Sequence, residues 1–160
     1  MWIQNVALAD IPKGHHIDVG ANSMLIQIVD PAMEFPIPKH EFKEIHQFEF
    51  LDLENEDDMP DAVEFMITDA QAAQLVALLQ RALDKHMSVI VHCHAGICRS
   101  GAVAEIGVMM GFEDAKAFRA PNLRVKHKML RALGWYYDES EVSTDNWQSY
   151  YDYLESKGDI

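Results

Sequence analysis

The chain has 160 residues, 49% hydrophobic and 24% charged, with a formal net charge of −13. These figures fit one globular domain with a proper core, and the acidic balance argues against nucleic acid or an anionic membrane as a partner, because both reward clustered Lys and Arg. Two cysteines six positions or fewer from one arginine, no basic-then-apolar leader and no apolar run near the ~20 residues of a membrane helix disfavour a disulfide scaffold and a membrane span, so a cytoplasmic location is expected.

Met1 to Val6 alternates weakly and is expected as a first strand. Ala7 to Gly20 holds Pro12, Gly14 and Gly20 and is expected as loop and turns. His15 and His16 lack a third metal ligand at helical or hairpin spacing, so they are expected as surface histidines. Ser23 to Val29 is a strand by its apolar run, ended by Asp30-Pro31; Pro36 and Pro38 keep the following stretch irregular. Ile45 to Leu51 is a second such run, with Phe48 and Phe50 on one face, and leads into an acidic loop carrying Asp52, Asp57, Asp58 and Asp61.

Thr68 and Gln71 make a capping box, after which Ala72, Leu75, Val76, Leu79, Leu83 and His86 recur at helical spacing. Val89 to Val91 reads as a buried strand, and Gly101 to Met110 as an apolar helix stopped by Gly111. A short helix is expected over Glu113–Arg119, then another over Leu123–Leu133, entered at Pro121-Asn122 and ended by Gly134. The acidic, aromatic-rich segment 135–160 is either a last helix through Trp147, Tyr150, Tyr151 and Leu154 or a mobile tail. Strands alternating with helices give an α/β fold with a mostly parallel central sheet flanked by helices, all within a single domain spanning 1–160.

The chemistry concentrates between the Val89 strand and the following helix, in His92-Cys93-His94-Ala95-Gly96-Ile97-Cys98-Arg99-Ser100. A strand, a tight loop and a helix N-terminus gather unpaired N–H groups and a positive dipole end, which suits an anion. A thiol in such a field is drawn toward thiolate, and a guanidinium offers a planar fork to two phosphate oxygens. Reading His92, Cys93 and His94 as metal ligands fails on geometry, because neighbours on an extended strand point to opposite faces.

The string His-Cys-x5-Arg-Ser resembles the signature of cysteine-dependent protein tyrosine phosphatases. The fuller pattern around Ala95 and Gly96 is similar to the dual-specificity branch. The resemblance implies a metal-independent phosphatase without cofactor, acting on a phosphorylated protein or a small phosphomonoester. It makes Cys93 the nucleophile that forms a phosphocysteine. His94, Ala95, Gly96, Ile97, Cys98 and Arg99 would cradle the phosphoryl oxygens, with Gly96 supplying a backbone shape that a β-carbon forbids. Ser100 would hydrogen-bond the sulfur or simply cap the helix, and His92 would orient the loop.

A general acid is also needed. Asp52 is favoured because it ends a strand, and Asp52-Leu53 resembles the Asp-Ile pair of bacterial and phage-type relatives. Its separation from Cys93 is longer than is usual in the dual-specificity branch, whose spacing suits Asp57, Asp58 or Asp61 better. Pro121-Asn122 resembles a family pair, which gives Asn122 a supporting contact to the site. Cys98 departs from the usual Ser; Ile97-Cys98-Arg99-Ser100 is similar to low-molecular-weight tyrosine phosphatases and makes Cys98 a redox candidate. The competing readings are a phosphoprotein-binding module without turnover, a lipid phosphatase, and a rhodanese-like sulfurtransferase. The loop has no Lys for extra lipid phosphates, and rhodanese loops are typically shorter and lack the Cys-x5-Arg-Ser run.

Overall fold

The structure is a computed structural model and describes Met1–Trp135. The expected last helix through Trp147 to Leu154 lies outside the described residues. Five strands form one sheet in the order β3-β2-β4-β1-β5: β1 Trp2–Ala7, β2 Ser23–Val29, β3 Glu44–Glu49, β4 Ser88–Cys93 and β5 Glu113–Asp114. Every pairing is parallel. Two of the three inner strands lack alternation: all seven residues of β2 are buried, as are five of the six in β4. Strands covered on both faces have that character. β4 lies between β2 and β1, with His92 level with Gln27 and Val6, so Cys93 emerges at the middle of the sheet's carboxyl edge.

The three α-helices share one face. Their buried residues form a single cluster with Ile3, Met24, Ile26, Ile28, Val89 and Val91. The opposite face is smaller. There Val6, Leu25 and Ile90 are covered by Ile11 and by Ile17, Val19 and Phe42 from irregular connections.

α1 (Asp69–Asp84) starts as its capping box dictates: the Thr68 hydroxyl accepts from the Gln71 N–H at 3.1 Å, and the Gln71 side-chain oxygen accepts from the Thr68 N–H at 2.9 Å. Its buried stripe is Ala72, Leu75, Leu79 and Ala82, and each fully buried Leu contributes roughly 1.5–3 kcal/mol. The helix stops at Asp84, short of His86, which takes a left-handed φ of 58° while Met87 N–H returns to the Ala82 carbonyl. By length and composition Pro60–Asp84 would pass for a membrane span. It is instead a 3-10 turn (Pro60–Phe65), a break, and then α1 with its apolar stripe in the core.

α2 (Arg99–Met110) can press on β1 because Gly107 stands where they meet. A β-carbon on Gly107 would stand 2.6 Å from the Ile3 side chain, and one on Gly101 would stand 2.8 Å from Arg119 Cβ. α3 (Leu123–Leu133) has Asn122 as its cap, accepting from Val125 N–H at 3.0 Å, and Gly134 at its end.

The short helix expected over Glu113–Arg119 does not form. Glu113 and Asp114 pair with Trp2 and Ile3 as β5, and Glu113 N–H reaches the Met1 carbonyl at 2.8 Å. The open edge of β1 supplies partners at once, whereas an isolated helix this short closes few hydrogen bonds for the residues it orders. Beyond β5 the chain runs irregularly. There Arg119 grips the Asp114 carboxylate with two bonds of 3.1 Å.

Candidate active site

Cys93 ends β4 and Arg99 opens α2, so His94–Cys98 must turn the chain within five residues. The carbonyls of that turn are captured on its outer side. His94 O accepts from Leu8 N–H, Gly96 O from the Asn5 side-chain amide at 2.8 Å, Ile97 O from Ala120 N–H, and Cys98 O from Asn122 N–H at 2.9 Å. In a trans peptide the next residue's N–H points the opposite way. Capturing the carbonyls therefore turns the N–H groups of Ala95, Ile97, Cys98 and Arg99 inward. Among the described residues, no protein group accepts from the N–H of His94, Ala95, Gly96, Ile97 or Cys98.

Gly96 makes this possible. It holds φ +74°, and a β-carbon there would lie 2.3 Å from the Val6 carbonyl carbon. No side chain fits between the loop and β1.

The loop borders a cavity of about 340 Å³ lined by Asp30, Leu51, Asp52, Leu53, Met59, Cys93, His94, Ala95, Cys98 and Arg99. The carboxyl ends of β2, β3 and β4 thus supply the walls, the position at which open α/β sheets bind ligands. Cys93 is buried, and its sulfur lies 3.1 Å from the Ser100 hydroxyl. Cys98 occupies the cap position of α2, so Ser100 sits inside the first turn and is not the cap. Both cysteines are free thiols. Burial pushes the Cys98 thiol up from its ordinary range, and the Asp52 carboxylate beside it pushes the same way.

Asp52 lines the cavity, and its carboxylate accepts from the Asn122 side-chain amide at 2.7 Å. Asn122 also reaches the Leu53 carbonyl at 3.3 Å and is itself 1% exposed, so it is a firm anchor. Asp57, Asp58 and Asp61 are exposed and do not line the cavity. Arg99 is buried, with its Nη1 donating to Asp30 Oδ1 at 2.7 Å and to the Phe50 carbonyl at 2.8 Å. His92 is fully buried, with Nδ1 3.4 Å from the Cys93 carbonyl and Nε2 unpartnered among the described residues. Burial, helped by the nearby Arg99 charge, pulls its pKa down to about 4. No group of three or more His, Cys, Asp or Glu able to hold a metal ion occurs among the described residues.

Two residues of the site escaped the sequence reading. Asn5 stands in the middle of β1 and ties Gly96 O to Phe118 O, at 2.8 and 2.9 Å; a buried amide within a strand was its only signal. Asp30 read as a strand terminator, and nothing local joins it to Arg99.

No family model and no curated protein matches the sequence. Solved structures do. The human tyrosine phosphatase-like serine/threonine/tyrosine-interacting protein superposes with a TM-score of 0.54 at 14% identity, covering 82% of this chain and 91% of that one. Human DUSP28 gives 0.48 at 15% identity, over 96% and 92% of the two chains. OH1 from the Orf virus, a tyrosine phosphatase with triple substrate specificity, gives 0.46 at 16%, over 99% and 70%. The chain has a tyrosine phosphatase-like fold, in agreement with the fold implied by the resemblance carried by His92–Ser100.

The depressed pKa of His92 has a consequence for stability. An unfolded histidine titrates near 6.5, so between about pH 6.5 and 4 the unfolded chain binds a proton that the folded one refuses. Stability should therefore fall as pH drops through that window, by up to about 3 kcal/mol, and this contribution should level off below pH 4. Urea titrations of wild type and His92→Gln across the window check it. The variant should lose that part of the slope, and equal slopes would assign the loss to other groups.

Proposed function

We propose that this protein is a cysteine-dependent phosphatase that hydrolyses phosphomonoesters, protein phosphotyrosine or dual-specificity substrates among them, through a phosphocysteine intermediate. One observation carries the reading: Cys93 and the Arg99 guanidinium line one cavity with a turn whose N–H groups, His94 to Cys98, have no protein acceptor among the described residues. A tetrahedral dianion seated there would accept from several N–H groups and from Arg99. In the transition state the same donors would hold the equatorial oxygens.

In the first step the Cys93 thiolate attacks phosphorus. The S–P bond forms as the P–O bond to the leaving group breaks, and Asp52 gives its proton to the departing oxygen. In the second step Asp52, now ionised, takes a proton from water as the water oxygen attacks phosphorus. The S–P bond breaks, and the Ser100 hydroxyl donates to the sulfur as it regains negative charge. Asn122 keeps the Asp52 carboxylate at the cavity wall throughout.

Wild-type protein should turn over p-nitrophenyl phosphate in excess chelator and be inhibited by vanadate, whereas Cys93→Ser should have no measurable turnover yet still bind vanadate or tungstate. Oxyanion binding by the wild type without turnover would make the chain a phosphate-binding module. Residual turnover in Cys93→Ser, or dependence on an added divalent metal, would sink the thiolate mechanism.

Asp52→Asn should lower kcat for alkyl and unactivated aryl phosphates by roughly 10²–10⁴-fold and flatten the basic limb of the pH–rate profile, with a smaller loss for p-nitrophenyl phosphate. The same pattern in Asp57→Asn, Asp58→Asn or Asp61→Asn, and not in Asp52→Asn, would move the acid to that residue.

Cys98 is a candidate for protecting the nucleophile. Peroxide would convert Cys93 to a sulfenic acid, and the Cys98 thiol would then displace water to leave a Cys93–Cys98 disulfide that dithiothreitol reopens. Mild peroxide should thus inactivate the wild type reversibly, and Cys98→Ser should recover less activity after the same dose. Equal recovery, or no loss of two hydrogens in the oxidised peptide by mass spectrometry, would leave Cys98 a packing residue.

A further inference from the structure

Asp30 is a carboxylate in the wall of a cavity suited to phosphate, where an uncompensated negative charge would oppose binding. Its position is set by the sheet. It follows directly on Val29, the last residue of fully buried β2, which pairs with β4 from Ser23 to Gln27 and with β3 from Met24 to Val29. From there its Oδ1 accepts from Arg99 Nη1 at 2.7 Å. The other Nη1 proton goes to the Phe50 carbonyl at 2.8 Å, and Phe50 is held too, with a fully buried ring and its N–H on the Val29 carbonyl.

One nitrogen of the guanidinium is therefore clamped by two groups at the ends of neighbouring strands. A guanidinium carries five N–H bonds in a fixed plane, and using both on Nη1 leaves those on Nε and Nη2. Among the described residues no protein group accepts from either nitrogen, and Nε is buried. The Nε–H and one Nη2–H lie parallel along one edge, the fork that takes two oxygens of a phosphate. We infer that Asp30 is a positioning residue: with the Phe50 carbonyl, it clamps Nη1 and turns the Nε–Nη2 edge of Arg99 onto the oxyanion above Cys93. Asp30 reaches the reaction only through Arg99, and the inference rests on the phosphate-binding part of the reading above.

The side-chain exposures fit this division of labour. Arg99 is 4% exposed and Asp30 is 48% exposed, so water still solvates part of the carboxylate while the guanidinium is locked. A free Arg side chain is rich in rotamer entropy, which the clamp removes before substrate arrives. The competing role, in which Asp30 merely vies with phosphate for Arg99, would require it to occupy the fork edge. It occupies the other nitrogen.

The comparison of Asp30→Ala with Asp30→Asn separates the two. Asn keeps an acceptor in place and removes the charge, whereas Ala removes both; Asp30→Ser, whose hydroxyl is too short to reach Nη1, serves if the Ala variant does not fold. Ala or Ser should lower kcat/KM for p-nitrophenyl phosphate by roughly 10–100-fold and weaken vanadate binding in parallel, while Asn stays within about threefold of wild type. Tighter vanadate binding in both Ala and Asn would establish competition and overturn the inference, and so would wild-type behaviour in Ala or equal losses in both. If the wild type shows no turnover, the catalytic reading fails by itself. Calorimetric titration of the same proteins with vanadate then decides the role of Asp30, with the same ordering required.

Discussion

The site depends on where the carbonyls of His94–Cys98 go. Each peptide unit is a small dipole, and a turn this tight cannot satisfy its own groups. Leu8, Asn5, Ala120 and Asn122 take four carbonyls from outside, and among the described residues no protein group accepts from the N–H groups of His94–Cys98. Those partners come from the end of β1, from within β1, and from the segment leading into α3. The cradle is therefore a product of the whole sheet edge, and its short strand β5 keeps the Ala120 segment within reach by fastening residues 113–115 to β1.

A chain of net charge −13 has to bind an anion without repelling it. Pairing, rather than distance, handles the carboxylates nearest the cavity: Asp30 meets Arg99 and Asp52 meets Asn122. The same pattern continues outward. Glu54 accepts from Leu123 N–H at the start of α3, Glu56 lies 3.3 Å from Arg124, and Asp69 lies 2.6 Å from Lys128. Exposed ion pairs of this kind each contribute at most about 1 kcal/mol. Carboxylates at a helix N-terminus gain a little more from its dipole. Glu54 and Glu56 tether the Asp52 loop to α3, Asp69 ties α1 to α3, and Asn122 adds a buried tie to Asp52.

Burial keeps both His92 and Cys98 neutral, by moving their pKa values in opposite directions. Around His92, desolvation and the Arg99 charge keep the ring neutral, which spares the sheet centre a buried positive charge. Around Cys98, desolvation and Asp52 keep a thiol protonated a few residues from the proposed nucleophile.

Much of the fold was legible in local pattern. The bounds of β2 and α3, the Thr68–Gln71 box, the Asn122 cap and the stop at Gly111 all follow from residues within one turn or strand, where propensity and capping act. The string from His92 to Ser100 carried its spacing openly, because a strand, a nucleophile, a turn and a helix start must come in that order. The Glu113–Arg119 segment was misread because its partner, the free edge of β1, lies more than a hundred positions away. Sequence could not join Asp30 to Arg99 or Asn5 to Gly96; its place at a strand end favoured Asp52, but only the fold puts Asp52 in the cavity wall and leaves Asp57, Asp58 and Asp61 outside it. Those pairings arise when parallel strands bring their carboxyl ends to one edge, and no local pattern records which ends will meet.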